Sequence, residues 1–187
     1  MSGDIGPIMQ LGYIVEDAAA AAAEWAERVG AGPFYVLDRN PMDDCYFRGE
    51  RTPVEIRLAF GYWGSVQVEL VQPLTTGPSF YREALRSGAG KLNHCAAIVT
   101  DLDTLLQQRN LQDRVILRGS MQSGLKFVYL EEYLPGGLHL ELIQATPSTL
   151  GAFAGMEAIA RSWDGRDPVR PMSAIAQDLA TVTKTSR

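Results

Sequence analysis

The chain has 187 residues, a hydrophobic fraction of 46% and a net charge of −5 at pH 7, which is enough to bury one full core or two small ones. No apolar run approaches the roughly 18 residues a spanning helix requires, and no basic cluster offsets the acidic balance, so the expected partner is a small molecule rather than a membrane or a nucleic acid. Met1-Ser2-Gly3-Asp4 carries no secretory pattern, and Cys45 and Cys95 are the two cysteines, which predicts a cytoplasmic protein with reduced thiols.

Residues 8–15 form an apolar run between Gly6-Pro7 and Glu16-Asp17 and predict a mostly buried strand. Asp17 is placed to cap a helix through Val29, with an alanine run for propensity and Trp25 and Val29 on one face; Gly30 and Gly32 end it. Residues 33–37 read as a strand. The polar stretch 38–53 is a long connection with a short strand near Tyr46-Phe47. Residues 54–60 and 66–71 alternate apolar and polar side chains and predict a hairpin around Gly61-Tyr62-Trp63-Gly64.

A second round follows. Residues 92–99 are an apolar strand, Asp101 caps a helix carrying Leu102, Leu105 and Leu106, and residues 115–117, 125–130 and 138–143 complete three further strands. The order β-α-β-β-β is thus written twice, over 8–72 and 92–144. The letters repeat as well as the order. Gln10-Leu11-Gly12-Tyr13-Ile14-Val15 stands over His94-Cys95-Ala96-Ala97-Ile98-Val99, and Val68-Glu69-Leu70 over Leu140-Glu141-Leu142. The offset falls from 84 to 72 residues, so the first half holds 12 more, most simply within 38–53.

Beyond Gln144 the pattern changes. Thr146-Pro147 is a helix start, with Leu150, Phe153, Met156 and Trp163 marking its apolar side. A turn-rich break at 163–168 precedes a last helix, capped by Ser173, with Ile175, Leu179 and Val182 at helical spacing. This helical extension, 146–187, belongs to neither repeat. Its first helix is expected to dock on its own chain and its last to be held more loosely.

Side chains two apart on a strand share a face. Gln67 therefore points with Glu69, and His139 with Glu141, opposite a face of Val and Leu. Gln10 and His94 open the corresponding first strands. Buried carboxylates need a partner or a cation, and two Glu, one His and one Gln together make an O/N site suited to Zn, Ni, Fe, Mn or Mg. His139 reads either as a proton carrier or as a core imidazole. Cys95 alternates away from His94 and reads as a small buried hydrophobe. Tyr62, Trp63 and Tyr129 line an aromatic mouth or simply pack, and Lys126, Arg57 and Arg118 are strand cations with a solvated default.

Through these motifs the sequence resembles the vicinal oxygen chelate superfamily, which includes glyoxalase I, methylmalonyl-CoA epimerase, extradiol dioxygenases and bleomycin-resistance proteins. The resemblance spans roughly residues 8–144 and implies an α+β, glyoxalase-like fold of two βαβββ modules. It also implies metal ligands at Gln10, Glu69, His94 and Glu141. That set is similar to the zinc-type glyoxalase I pattern; the epimerases usually begin with His, and the iron dioxygenases need two His and one Glu. The function expected is a metal-dependent isomerase, epimerase or lyase stabilising an enediolate from a small carbonyl substrate, in a homodimer. Glu141 or Glu69 would shuttle the proton, with His139 as another carrier. The alternative is a non-catalytic protein of the bleomycin-resistance type that sequesters a small molecule.

Overall fold

The computed structural model describes residues 5–42 and 44–185, so the Met1-Ser2-Gly3-Asp4 start lies outside the described residues. The first half comprises β1 (Ile8–Ile14), α1 (Ala18–Val29), β2 (Phe34–Met42), β3 (Cys45–Phe47), β4 (Glu50–Arg51), β5 (Val54–Trp63) and β6 (Val66–Pro73). After α2 (Phe80–Gly88) come β7 (Leu92–Ile98), α3 (Leu102–Arg109), β8 (Val115–Ser120), β9 (Lys126–Leu134) and β10 (Leu138–Gln144). The extension holds α4 (Pro147–Arg161), β11 (Val169–Pro171) and α5 (Ile175–Thr185).

The helix boundaries follow local chemistry. Asp17 accepts hydrogen bonds from the Ala19 and Ala20 amides, and Gly30, at φ 68°, closes α1 in the left-handed conformation. Asp101 caps α3 and Thr146 caps α4, with Pro147 in its first turn. The hairpin differs from the expected one. β5 runs on through Tyr62 and Trp63, and Gly64, at φ 63°, makes a tighter turn.

All strands join one sheet in the order β11-β2-β5-β6-β1-β7-β10-β9-β8-β3-β4. The same arrangement occurs twice, since β1 runs parallel to β6 and β7 runs parallel to β10. The two arrangements meet at β1 and β7, which pair antiparallel within the one chain. The hairpin of β3 and β4 falls in the stretch expected to carry the insertion. It leaves the β2 edge and pairs β3 with β8 on the far side of the sheet, Cys45 opposite Gly119. A single core cluster consequently gathers Met42, Cys45, Ile56 and Leu58 from the first half with Leu117, Phe127 and Tyr129 from the second.

Helix α2 has no counterpart among the elements that periodicity predicts. Its stripe is short, and Phe80 and Tyr81 supply the buried part. The extension also departs from the all-helical expectation, because β11 adds to the sheet edge beside β2. Nor is α5 a loose end. The Tyr35 hydroxyl and the Arg170 guanidinium both donate to Asp178 Oδ2, at 2.7 and 2.9 Å, and Leu179 rests on α4 where Gly155 has no side chain. Burial alone would raise the Asp178 carboxyl, but those two donors outweigh it and hold it below its ordinary 3.8. Asp178→Ala takes the acceptor from the Tyr35 hydroxyl and the carboxylate from Arg170, which keeps its bonds to the Asp167 and Arg166 carbonyls, and should cost about 1–3 kcal/mol, read as a shift in denaturant midpoint at constant slope. The folded-state pKa is depressed, so the part of this loss that comes from the charge is fully present above 3.8 and is lost as the pH falls through the lower folded-state value.

Candidate metal centre

The strand registers bring equivalent positions together. Gln10 on β1 stands beside Gln67 on β6, and His139 on β10 beside His94 on β7. At the seam Gly12 faces Glu69 on one side and His94 on the other. Glu69, His94 and Glu141 are buried, with one ligand atom from each lying within 4.8 Å of the others. His94 Nε2 is 3.2 Å from Glu69 Oε2 and 3.4 Å from Glu141 Oε2.

His94 is held from its other nitrogen. Nδ1 lies 3.2 Å from Asn93 Oδ1, which accepts only, so the proton belongs on Nδ1 and Nε2 is turned toward the carboxylates. The ring lies across Gly12, where an added Cβ would stand 1.9 Å from its atoms. A glycine inside a strand often marks such an approach, and that was the available sequence signal for Gly12. Tyr129 closes the remaining side, its ring centroid 4.7 Å from that of His94. Its hydroxyl also bonds Glu141 and Tyr81.

Gln10 is oriented by a relay from the extension. The Phe153 carbonyl is an acceptor, so the Tyr62 hydroxyl donates to it at 3.1 Å. Tyr62 must then accept from Gln67 Nε2, at 3.2 Å, which turns Gln67 Oε1 toward Gln10 Nε2 at 2.7 Å. The remaining Gln10 atom, Oε1, is buried without a hydrogen-bond partner, as is Glu141 Oε2. Two orphaned oxygens beside an imidazole nitrogen and a second carboxylate form a donor set that fits a divalent cation.

The electrostatics agree. Burial disfavours the His94 cation, but the Glu141 and Glu69 carboxylates beside it outweigh burial and push its pKa up to about 9. Burial, with Glu69 nearby, raises Glu141 to about 6. Without a cation, a proton on His94 is what separates the two carboxylates, and cation and proton compete for Nε2.

The remaining residues singled out in the sequence fall elsewhere. His139 lies outside the cluster: its Nδ1 accepts from the Glu132 amide at 3.0 Å, and its ring sits against Phe80. Burial, followed by the His94 charge, lowers its pKa. Cys95 is buried on the other face of β7, as expected. Trp63 is exposed and stacks edge-on with Trp25, whereas Tyr62 and Tyr129 are buried in the relay and beside His94. Arg57 pairs with Asp38, Arg118 with Asp103, and Lys126 is exposed.

A cavity of about 240 Å³ opens on the cluster. Gln10, Glu69 and Glu141 line its inner end, strand residues such as Phe60 and Ile143 its sides, and Phe153 and Met156 of α4 cover it. Among the described residues, no helix is long and apolar enough to cross a membrane.

Elemental analysis after supply of Zn²⁺, Ni²⁺ or Mn²⁺ should find about one ion per chain in the wild type, following the one donor set. His94→Ala should lose it. Asn93→Ala, which releases Nδ1 but keeps every ligand, should weaken metal affinity by about 10- to 100-fold. Gly12→Ala should displace the imidazole and lower metal content in the same direction.

Solved structures sharing this arrangement are similar at low identity. Methylmalonyl-CoA epimerase from Mycobacterium tuberculosis superposes with a TM-score of 0.56 and 18% identity, over 81% of this chain and 96% of that one. A Streptomyces coelicolor methylmalonyl-CoA epimerase variant in complex with 2-nitronate-propionyl-CoA gives 0.51 and 14%, over 77% and 97%. A hypothetical protein from Bacillus halodurans C-125 gives 0.52 and 13%, over 75% and 94%. These likenesses bear on the fold. No curated protein matches the chain by sequence. The sequence profile of the Glyoxalase/Bleomycin resistance protein/Dioxygenase superfamily matches residues 9–129, a span that takes in Gln10, Glu69 and His94 together with both sides of the β1–β7 seam. With well over half its length covered and the doubled strand order in place, the chain belongs to that superfamily.

Proposed function

We propose that this protein is a metal-dependent isomerase, epimerase or lyase that removes a proton next to a carbonyl group of a small substrate. The observation that carries the reading is a buried set of Gln10, Glu69, His94 and Glu141 at the inner end of a cavity, with both carboxylates lining it. Those four residues would hold the cation. When bound, a divalent ion supplies Lewis-acid stabilisation of enediolate charge.

The chain's own residues do the rest. Glu141 is the preferred base: its side chain borders the cavity where a substrate α-carbon would lie, and a carboxylate has two oxygens to divide between cation and proton. Glu69 borders the same space and takes the role of second proton holder. Tyr129, bonded to Glu141, positions that carboxylate and stays neutral, because burial first and the nearby carboxylates second raise its hydroxyl well above 10.0. Asn93 and Gln67 orient His94 and Gln10. His139 plays no part in this scheme, since its ring nitrogen is engaged with the Glu132 amide and it does not border the cavity.

The apolar walls of the cavity also suit a protein that sequesters a small molecule without changing it. Proton exchange separates the two. Incubation in deuterated water with 2-oxo aldehydes, 2-hydroxy ketones and acyl thioesters, followed by NMR, should show loss of an α-proton for at least one class. Glu141→Gln keeps an oxygen donor but loses the base, and should slow exchange by about 10²- to 10⁴-fold. Metal-loaded wild-type protein that exchanges no proton in any class would support sequestration instead.

A further inference from the structure

We infer that the cavity takes an uncharged, largely apolar oxo or hydroxy-oxo compound of about ten non-hydrogen atoms, and that the inner face of α4 selects it. This deepens the proposed reaction and rests on it for the word substrate, though not for binding.

The size follows from the space. An apolar cavity of about 150 Å³ holds benzene, with six heavy atoms, so about 240 Å³ accommodates roughly ten in proportion. The chemistry follows from the walls. Leu37, Leu58 and Phe60 come from one side of the sheet, Leu125 and Ile143 from the other, and α4 adds Phe153 and Met156. The charged groups among the described lining residues are Glu69 and Glu141; no Lys or Arg borders the space. Its other polar groups are neutral, namely the Gln10 amide and hydroxyls such as those of Ser148 and Thr149 at the start of α4.

Charge balance excludes an anion. Two carboxylates neutralise a divalent cation, and Gln10 and neutral His94 add no charge, so the loaded site has no surplus positive charge to offer a substrate carboxylate or phosphate. An anion entering would lose its water without gaining a counter-charge or a cationic hydrogen-bond donor. The three candidate cations on the strands do not help: Arg57 and Arg118 are paired with Asp38 and Asp103, and neither they nor Lys126 border the cavity. Helix α4 lies beyond both repeats, yet it covers the opening, so the residues it turns inward decide what enters.

Ala152 gives a direct test, because it lines the cavity while remaining solvent-exposed on α4 and tolerates a long side chain. Zn²⁺-supplied wild-type protein, Ala152→Arg and the size control Ala152→Leu would be titrated by ligand-observed NMR with acetophenone, its charged counterpart benzoylformate, and methylmalonyl-CoA. α-Proton exchange of 2-hydroxyacetophenone and of methylmalonyl-CoA in deuterated water would be followed in parallel. Wild type should bind acetophenone at least about tenfold more tightly than benzoylformate, a ratio set by the desolvation of an unpaired charge. Ala152→Arg should narrow or reverse that ratio, and Ala152→Leu should not. Equal or tighter binding of benzoylformate or methylmalonyl-CoA by wild type overturns the inference, as does an unchanged ratio in Ala152→Arg. Acetophenone binding without exchange of 2-hydroxyacetophenone upholds the ligand class and counts against the catalytic reading alone. Exchange of methylmalonyl-CoA with no acetophenone binding does the reverse.

Discussion

The hydrogen-bonded seam between β1 and β7 is the constraint on which the centre depends. Each half of the chain can bring together its own pair through parallel strands: β1 sets Gln10 near β6, and β7 sets His94 near β10. Neither pair makes a centre alone. Antiparallel pairing of β1 with β7 places Gly12 opposite His94 and brings Glu69 and Glu141 within reach of the same imidazole nitrogen. A one-residue slip in this register would set the side chains of one half on the opposite face from those of the other. Burial of aliphatic side chains on that opposite face, such as Leu70 and Leu142, resists the slip.

The same seam creates an electrostatic problem that a positive charge solves. Glu69 and Glu141 are each 6% exposed and share His94 between them. Two carboxylates this close and this dry repel strongly; burial first, and the Glu69 charge after it, raise Glu141, while attraction to both carboxylates holds a proton on His94 against burial. Stability in such a place is poorly served by ionic groups, since apolar residues of similar size would pack there at lower cost. Their retention beside an open cavity is therefore better explained by chemistry than by folding.

Much of the architecture was legible because strand periodicity and helix caps are local. Asp17, Asp101 and Thr146 cap the helices expected of them, and the doubled order of strands, with Glu69 and Glu141 in the same frame, gave the fold class. What escaped is what depends on distant contacts. Helix α2 carries too short a stripe to be recognised, and Phe80 and Tyr81 acquire meaning only against Tyr129. β11 is three residues long and exists because the β2 edge is there to receive it. Asn93 and Gly12 were visible as letters beside the site residues, but their roles rest on the angle of one imidazole. His139 shares a strand face with Glu141, yet the two-residue period cannot say that Phe80 would stand beside it and the Glu132 amide would occupy its nitrogen.

The extension shows how a segment outside the repeats can govern the site within them. Its α4 covers the cavity with Phe153 and Met156, and the carbonyl of the same Phe153 starts the relay through Tyr62 and Gln67 that leaves Gln10 Oε1 facing inward. Side chain and backbone of one residue thus meet substrate space and ligand orientation at once. The helix is in turn held by α5, which Asp178 ties to Tyr35 on β2 and to Arg170. A shift of α4 would therefore open the cavity and remove the acceptor that fixes the Gln10 amide together. Closure over a bound molecule and correct presentation of the neutral oxygen ligand are one structural condition in this protein, which is why a tail unrelated to either module is folded against the cleft between them.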